Sequence, residues 1–215
     1  ESFGIEQVPN QLALIDVDKK TQSKVLWMTQ APGYHDWKKR LRAELVRTIV
    51  QERVKKLREA MGVTYGISTS LFDWGRQSNL VVSTKVKRKK TVDAVEQLMK
   101  TIDKLSEHDI TKGELERAVR GRLWDFSSSD RSSERLANRH TYAMSIDRPS
   151  DYDSRRIDYL ISLRPEDLTE SLRGLLAAPS GLIIAGGITD EVRALGASLD
   201  KEVIDFSAES LMRAQ

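Results

Sequence analysis

Cysteine is absent from the 215 residues. That excludes a disulfide scaffold, a thiolate zinc site and a cysteine nucleophile, and it leaves the redox compartment open. No apolar run approaches the roughly 18 residues needed to span a bilayer; GLIIAGGI at 181–188 is among the longest and is strand-sized. Histidine is scarce, with three residues, His35, His108 and His140, and no two lie four apart. Neither His-x-x-Glu-His nor His-Glu-x-x-His occurs, so the chain carries no metal ligand set of the zinc peptidase type. Gly-x-Ser-x-Gly, the phosphate-binding Gly-x-x-x-x-Gly-Lys-Ser/Thr and Gly-x-Gly-x-x-Gly are missing too, and no carboxylates pair at a spacing that implies acid/base work. Gly186-Gly187, following an apolar run, is the weakest of glycine signals and predicts a tight turn. Position 1 is glutamate rather than methionine, which predicts a processed chain or, in preference, a piece cut from a longer protein, any targeting signal having gone with the missing part.

What is present is a soluble globular composition, 31% charged and 39% hydrophobic, with a formal net charge of +3. The charges are well mixed. Lys85-Val86-Lys87-Arg88-Lys89-Lys90 is the one basic cluster, and its place at the end of a strand reads as solvated edge lysines rather than a nucleic-acid footprint.

QLALIDVD (11–18) and SKVLWMT (23–29) alternate as two strands joined by a polar turn, a candidate hairpin. From Trp37 the apolar spacing turns helical through Leu41, Leu45, Ile49, Val50, Val54, Leu57 and Met61, and Gly62 is placed to end that helix. Strands follow at 63–72 and 79–87, then a helix over 91–106. Thr111-Lys112-Gly113-Glu114 has the form of a capping box opening a third helix. The serine-rich 127–133 reads as a helix break with a new N-cap. Helices over 133–145, 151–162 and 165–177 and closing strands over 181–186 and 202–206 complete the reading. Strands, a long helix, strands, several helices and strands again predict one α+β domain over 1–215, with a mostly antiparallel sheet and helices packed on one face.

The corner KLREAMGVTYGI at 56–67 invites a closer look. Arg58 in the last helical turn suits the helix dipole, and Tyr65 suits a half-buried strand position. Alternatively, the corner projects a guanidinium and a phenol, both donors, towards a peptide carbonyl or an oxyanion. The run Gln51 to Glu59 followed by Gly62-Val63-Thr64-Tyr65-Gly66 resembles the Leu-Arg-Glu…Gly-x-x-Tyr segment of the insulinase/pitrilysin-type (inverzincin) zinc metallopeptidases. Ile110-Thr111-x-x-Glu114-Leu115 and Pro165-Glu166-Asp167-Leu168, ahead of the strand Leu182–Ala185, come in that family's order, so the resemblance covers roughly 12–190.

The resemblance implies a metalloprotease-like, ferredoxin-type sandwich and the C-terminal, non-metal domain of such an enzyme. It implies that Arg58 and Tyr65 bind peptide substrate, that no catalytic or metal-binding residue lies in this chain, and that zinc sits in a homologous domain in cis or on a partner subunit. Dimerisation is compatible with it, as are the bacterial periplasm and the cytoplasm. The rival reading is a catalytically inactive structural or assembly subunit on the same fold. Strand alternation puts Tyr65 on the apolar side with Val63, Ile67 and Leu71, opposite Thr64, Gly66, Ser68 and Ser70. A bulge at Gly66, or emergence of Tyr65 at the very start of the strand, would re-aim it.

Overall fold

The computed structural model describes residues 10–17, 21–60, 66–74, 77–129, 132–145 and 151–207. In chain order they form β1 (Gln11–Asp16), β2 (Gln22–Ala31), α1 (Trp37–Ala60), β3 (Ile67–Trp74), β4 (Gln77–Lys87), a single 3-10 turn (Arg88–Lys90), α2 (Thr91–Leu105), α3 (Lys112–Ser129), α4 (Ser133–Ser145), α5 (Tyr152–Ser162), α6 (Pro165–Ala177), β5 (Ser180–Gly186), α7 (Asp190–Ser198) and β6 (Glu202–Ser207). The α+β class stands. α1 is described to Ala60; Met61 and the expected Gly62 stop lie outside the described residues.

The six strands build one sheet in the order β3-β4-β2-β5-β1-β6. β3, β4, β2 and β5 pair antiparallel, whereas β5-β1 and β1-β6 are parallel, so the sheet is mixed rather than mostly antiparallel. The hairpin expected of β1 and β2 does not form, because β5 is inserted between them, with Leu182 aligned to both Leu12 and Trp27. The apolar run of β5 suits a central strand bonded on both edges. Parallel pairing in turn requires a crossover longer than a turn. The chain supplies it as α7, a helix the sequence reading passed over. Thr189 caps it by accepting a hydrogen bond from Val192 N at 3.3 Å, and Val192 and Leu195 bury its inner face.

Every strand alternates between a covered and an uncovered side. Leu12, Leu14, Val25, Trp27, Leu80, Val82, Leu182 and Ile184 are all at most 1% exposed and form the sheet half of the core. Against them lie α1, α2, α6 and α7, while α3 packs on α1 from outside and α5 on α3. α1 is central: Leu41, Ala43, Leu45, Val46, Ile49, Val50 and Val54 are all buried, a wider face than one stripe because sheet and helices flank it. Trp37 at its start meets Tyr152 and Tyr159 edge-on, each at 5.5 Å between ring centroids. Buried polar groups stitch the layers. Thr29 Oγ1 donates to Leu175 O at 3.0 Å, and Ile110 N donates to Thr169 Oγ1 at 2.9 Å.

The opposite side of the sheet carries no described helix. Ala13, Ile15, Leu26, Met28, Ile183, Ala185, Ile204 and Phe206 share it, each half-buried, and Lys24 faces Lys85 across the β2-β4 ladder. The glycine pair at 186–187 serves the fold. Gly186 has φ +151°, and a Cβ there would stand 2.7 Å from Ser23 Cα. At Gly187 the Arg88 side chain fills the space. Gly186→Ala is expected to cost about 2 kcal/mol or more, through strain and backbone overlap together. Urea unfolding of the variant against the parent chain measures it.

Candidate functional site

The corner singled out in the sequence joins α1 to the edge strand of the sheet. Arg58 lies in the last turns of α1. Its side chain, and all of Tyr65, lie outside the described residues, so their mutual geometry is not part of the structure. What the structure does place is the framework on either side of them. Gly66 is exposed, a Cβ there would meet nothing within 4 Å, and its carbonyl accepts from Thr84 Oγ1 at 3.0 Å. From Ile67 the strand keeps the alternation read from the sequence: Ile67 and Leu71 pack towards the core and Thr69 is buried, whereas Ser68, Ser70 and Phe72 point to the uncovered side.

Two side chains of α1 hold this framework. Gln51 lies along the free edge of β3, where its carboxamide accepts from Thr69 N at 2.6 Å and donates to Ile67 O at 3.3 Å. It thereby occupies one peptide's worth of edge hydrogen bonding. Arg53 acts two residues nearer the corner. Its Nε and Nη2 form a bidentate pair with Glu114 at 2.8 and 2.9 Å. Its remaining donors reach Leu105 O at 3.1 Å, His108 O at 2.8 Å and Asp109 O at 2.8 Å. Glu114 is also the return arm of the expected capping box, accepting from Thr111 N at 2.9 Å while Glu114 N donates to Thr111 Oγ1 at 3.3 Å. The Arg53 guanidinium, with help from Thr111, outweighs burial and lowers the Glu114 pKa from 4.5 to about 2.

Between α1, α3 and the edge of β3 opens a cleft of about 830 Å³, lined by five arginines and two carboxylates. Glu44 receives both Arg40, at 3.4 Å, and Arg122. Arg40 reaches Asp73 of β3 as well, at 2.8 Å. The sequence reading passed over this cleft. Its one local signal was a polar stripe on α1 at helical spacing, Glu44, Arg47, Thr48 and Gln51, beside the apolar face.

The three histidines are exposed and far apart in the sequence. Among the described residues, no group of three or more His, Asp or Glu could hold a metal ion, and no described helix is long and apolar enough to cross a membrane. The basic stretch at 85–90 runs from the end of β4 through the 3-10 turn, with its lysines exposed and Lys90 paired to Asp93 at 2.8 Å.

A charge-linked prediction follows from the Arg53–Glu114 pair. Because the folded-state pKa of Glu114 is depressed, the pair's stabilisation is full above pH 4.5 and drains away as pH falls towards about 2. Discounted for solvent screening of a part-exposed pair, a drop of that size is worth about 2 kcal/mol. Arg53→Ala should lower stability by about 2 kcal/mol at pH 7 and flatten the acid limb between pH 5 and 2, since the pair no longer exists to be titrated. Chemical denaturation across that pH range reads both effects.

The fold has known counterparts. The peptidase M16 inactive domain from Pseudomonas fluorescens superposes with a TM-score of 0.70 at 14% identity, covering 85% of this chain and 45% of that one. A predicted insulinase family protease from Yersinia pestis gives 0.72 at 12% identity, covering 89% and 46%. The periplasmic protease PqqL from Escherichia coli gives 0.66 at 13%, covering 84% and 21%. At these identities the likeness is one of fold, and the chain spans less than half the length of each of the three. No curated protein matches. The family model described as "Peptidase M16 inactive domain" matches residues 4–122, more than half of the sequence. The strand–helix corner, the long buried α1 and the absence of a metal motif from the sequence thus find a single account: the chain belongs to the peptidase M16 inactive-domain family.

Proposed function

We propose that residues 1–215 form the substrate-binding, non-metal domain that completes the active-site chamber of a zinc metallopeptidase. The catalytic zinc and general base would reside in a homologous companion domain, in cis or on a partner subunit. The observation that carries this reading is the match to a domain type defined as inactive within a peptidase family, in a sequence without His-x-x-Glu-His. Zinc in the companion would activate water for attack on the scissile carbonyl. This chain's contribution is to bind and orient. Arg58 and Tyr65 would donate to carbonyl oxygens of an extended peptide, lowering its freedom before attack.

The uncovered side of the sheet supports a companion of this kind. Half-buried Ile15, Leu26, Met28, Ile183, Ile204 and Phe206 form an apolar centre with a basic end at Lys24 and Lys85. Like charges directly opposed across a ladder are unfavourable alone. A covering surface with carboxylates at that end would relieve the repulsion.

In the assembled enzyme, Arg58→Ala and Tyr65→Phe should each lower kcat/KM by roughly 10²-fold, about the effect of losing one oxyanion donor, with bound zinc unchanged. Unchanged kcat/KM in both variants would remove the role assigned to the corner. If the companion also lacks His-x-x-Glu-His, the inactive assembly subunit becomes the better reading.

A further inference from the structure

We infer that the cavity between the start of α1 and α6 binds a small zwitterion, a free α-amino acid or a dipeptide, with its carboxylate on Arg42 and its ammonium on Glu170. The cavity lies at the opposite end of α1 from Arg58, and binding there needs neither zinc nor a companion domain. Its failure would leave the proposed chamber role intact.

Local sequence shapes the cavity. β2 ends at Ala31, and Pro32 and Gly33 carry the chain towards α1, which opens on Asp36. Lys39 N donates to Asp36 Oδ1 at 3.1 Å, a side-chain cap that fixes the first turn of the helix. Between this connection, the first two turns of α1 and α6 lies a space of about 590 Å³, a size typical of small-molecule sites. Its apolar lining includes Ala31, Pro32, Leu175 and Ala178, and both Ala31 and Leu175 are buried. Gly174 lies within α6 on the same wall, where a Cβ would meet nothing within 4 Å. A glycine inside a helix costs about 1 kcal/mol relative to alanine, and here its effect is to leave the cavity open.

The charges of the lining set the chemistry. They are His35, Asp36, Lys39 and Arg42 on the side of α1 and Glu170 on α6. Lys39 and Asp36 neutralise each other at 3.2 Å. Arg42 and Glu170 are left, and neither forms a hydrogen bond or an ion pair among the described residues. Asp36 and Tyr159 feel the charge of Arg42 without bonding to it. Arg42 stands between buried Leu41 and Ala43, and its Nε is shut off from solvent with no acceptor. The two Nη groups remain as accessible donors, an end-on fork that matches a carboxylate. Glu170 is exposed and supplies the opposite charge from the other wall. Two opposite charges that line one cavity without pairing leave a gap. A molecule carrying an anion and a cation a few bonds apart fills it, whereas a monocarboxylate leaves Glu170 unmatched and a monoamine leaves Arg42 unmatched. The apolar lining selects small apolar side chains.

The test titrates the isotope-labelled full 215-residue chain with L-leucine and with L-alanyl-L-leucine, read by amide chemical shifts. Saturable shifts should centre on Gly33, Gly174 and Ala178 with at least one of the two, and the tighter binder identifies the source of the zwitterion. Isocaproate, which lacks the ammonium, and isoamylamine, which lacks the carboxylate, should each bind at least tenfold more weakly. Arg42→Met and Glu170→Gln should each weaken binding tenfold or more. Glu170 is exposed, so its variant stays folded even if Arg42→Met does not. Gly174→Leu has open space to enter and should abolish the shifts at Gly33. No saturable shift up to the solubility of both zwitterions would overturn the assignment. So would equal affinity for L-leucine and isocaproate, or full affinity in a folded Glu170→Gln variant.

Discussion

One guanidinium organises the half of the molecule around the corner. Arg53 projects from the central helix α1 and engages a carboxylate on α3 and three carbonyls, one at the last residue of α2 and two in the connection that follows it. All five N–H groups of an arginine can be used only if the acceptors converge on its plane, so this contact sets the positions of α1, α2 and α3 together. Burying the charge is expensive, and the bidentate geometry with the extra carbonyl acceptors offsets that expense. Glu114 then does two jobs, pairing with Arg53 and closing the N-terminus of α3. If Glu114 were lost, α3 would lose both its start and its anchor. The cleft beside β3 would lose a wall.

That clamp lies beneath a one-sided sheet. All the helices seen against the sheet lie on one face, while the opposite face presents an apolar centre with lysines at one end. An α+β layer of this type buries one side of its sheet against helices. The proposed roles divide along this geometry: the face without a described helix would meet a companion, and the corner at Arg58 and Tyr65 would reach substrate.

Local chemistry made much of this legible. The helical spacing from Trp37 onward matched α1, Pro165 with Glu166 and Asp167 marked the start of α6, and Thr111 with Glu114 marked that of α3, because each of these signals acts within one or two turns. α7 escaped notice because nine residues after a glycine pair read as a connection until parallel pairing demanded a crossover. The hairpin of β1 and β2 was misread for a related reason. Alternation says that two segments are strands, but it does not say which strand comes between them, and β5 arrives from more than 140 residues away. Arg58 and Tyr65 were singled out through resemblance to a family, and the cleft was missed because Arg47, Thr69 and Arg120 line it together only after folding.

The sequence alone determined the α+β class, most element boundaries and the lack of a zinc-peptidase motif, since these depend on periodicity, capping and residue identity within short windows. Tertiary structure decided the mixed strand order, the gathering of the described helices on one sheet face, the Arg53 clamp and the arginine-lined cleft. Those depend on which distant segments share a layer, and hydrophobic burial settles that for the whole chain at once.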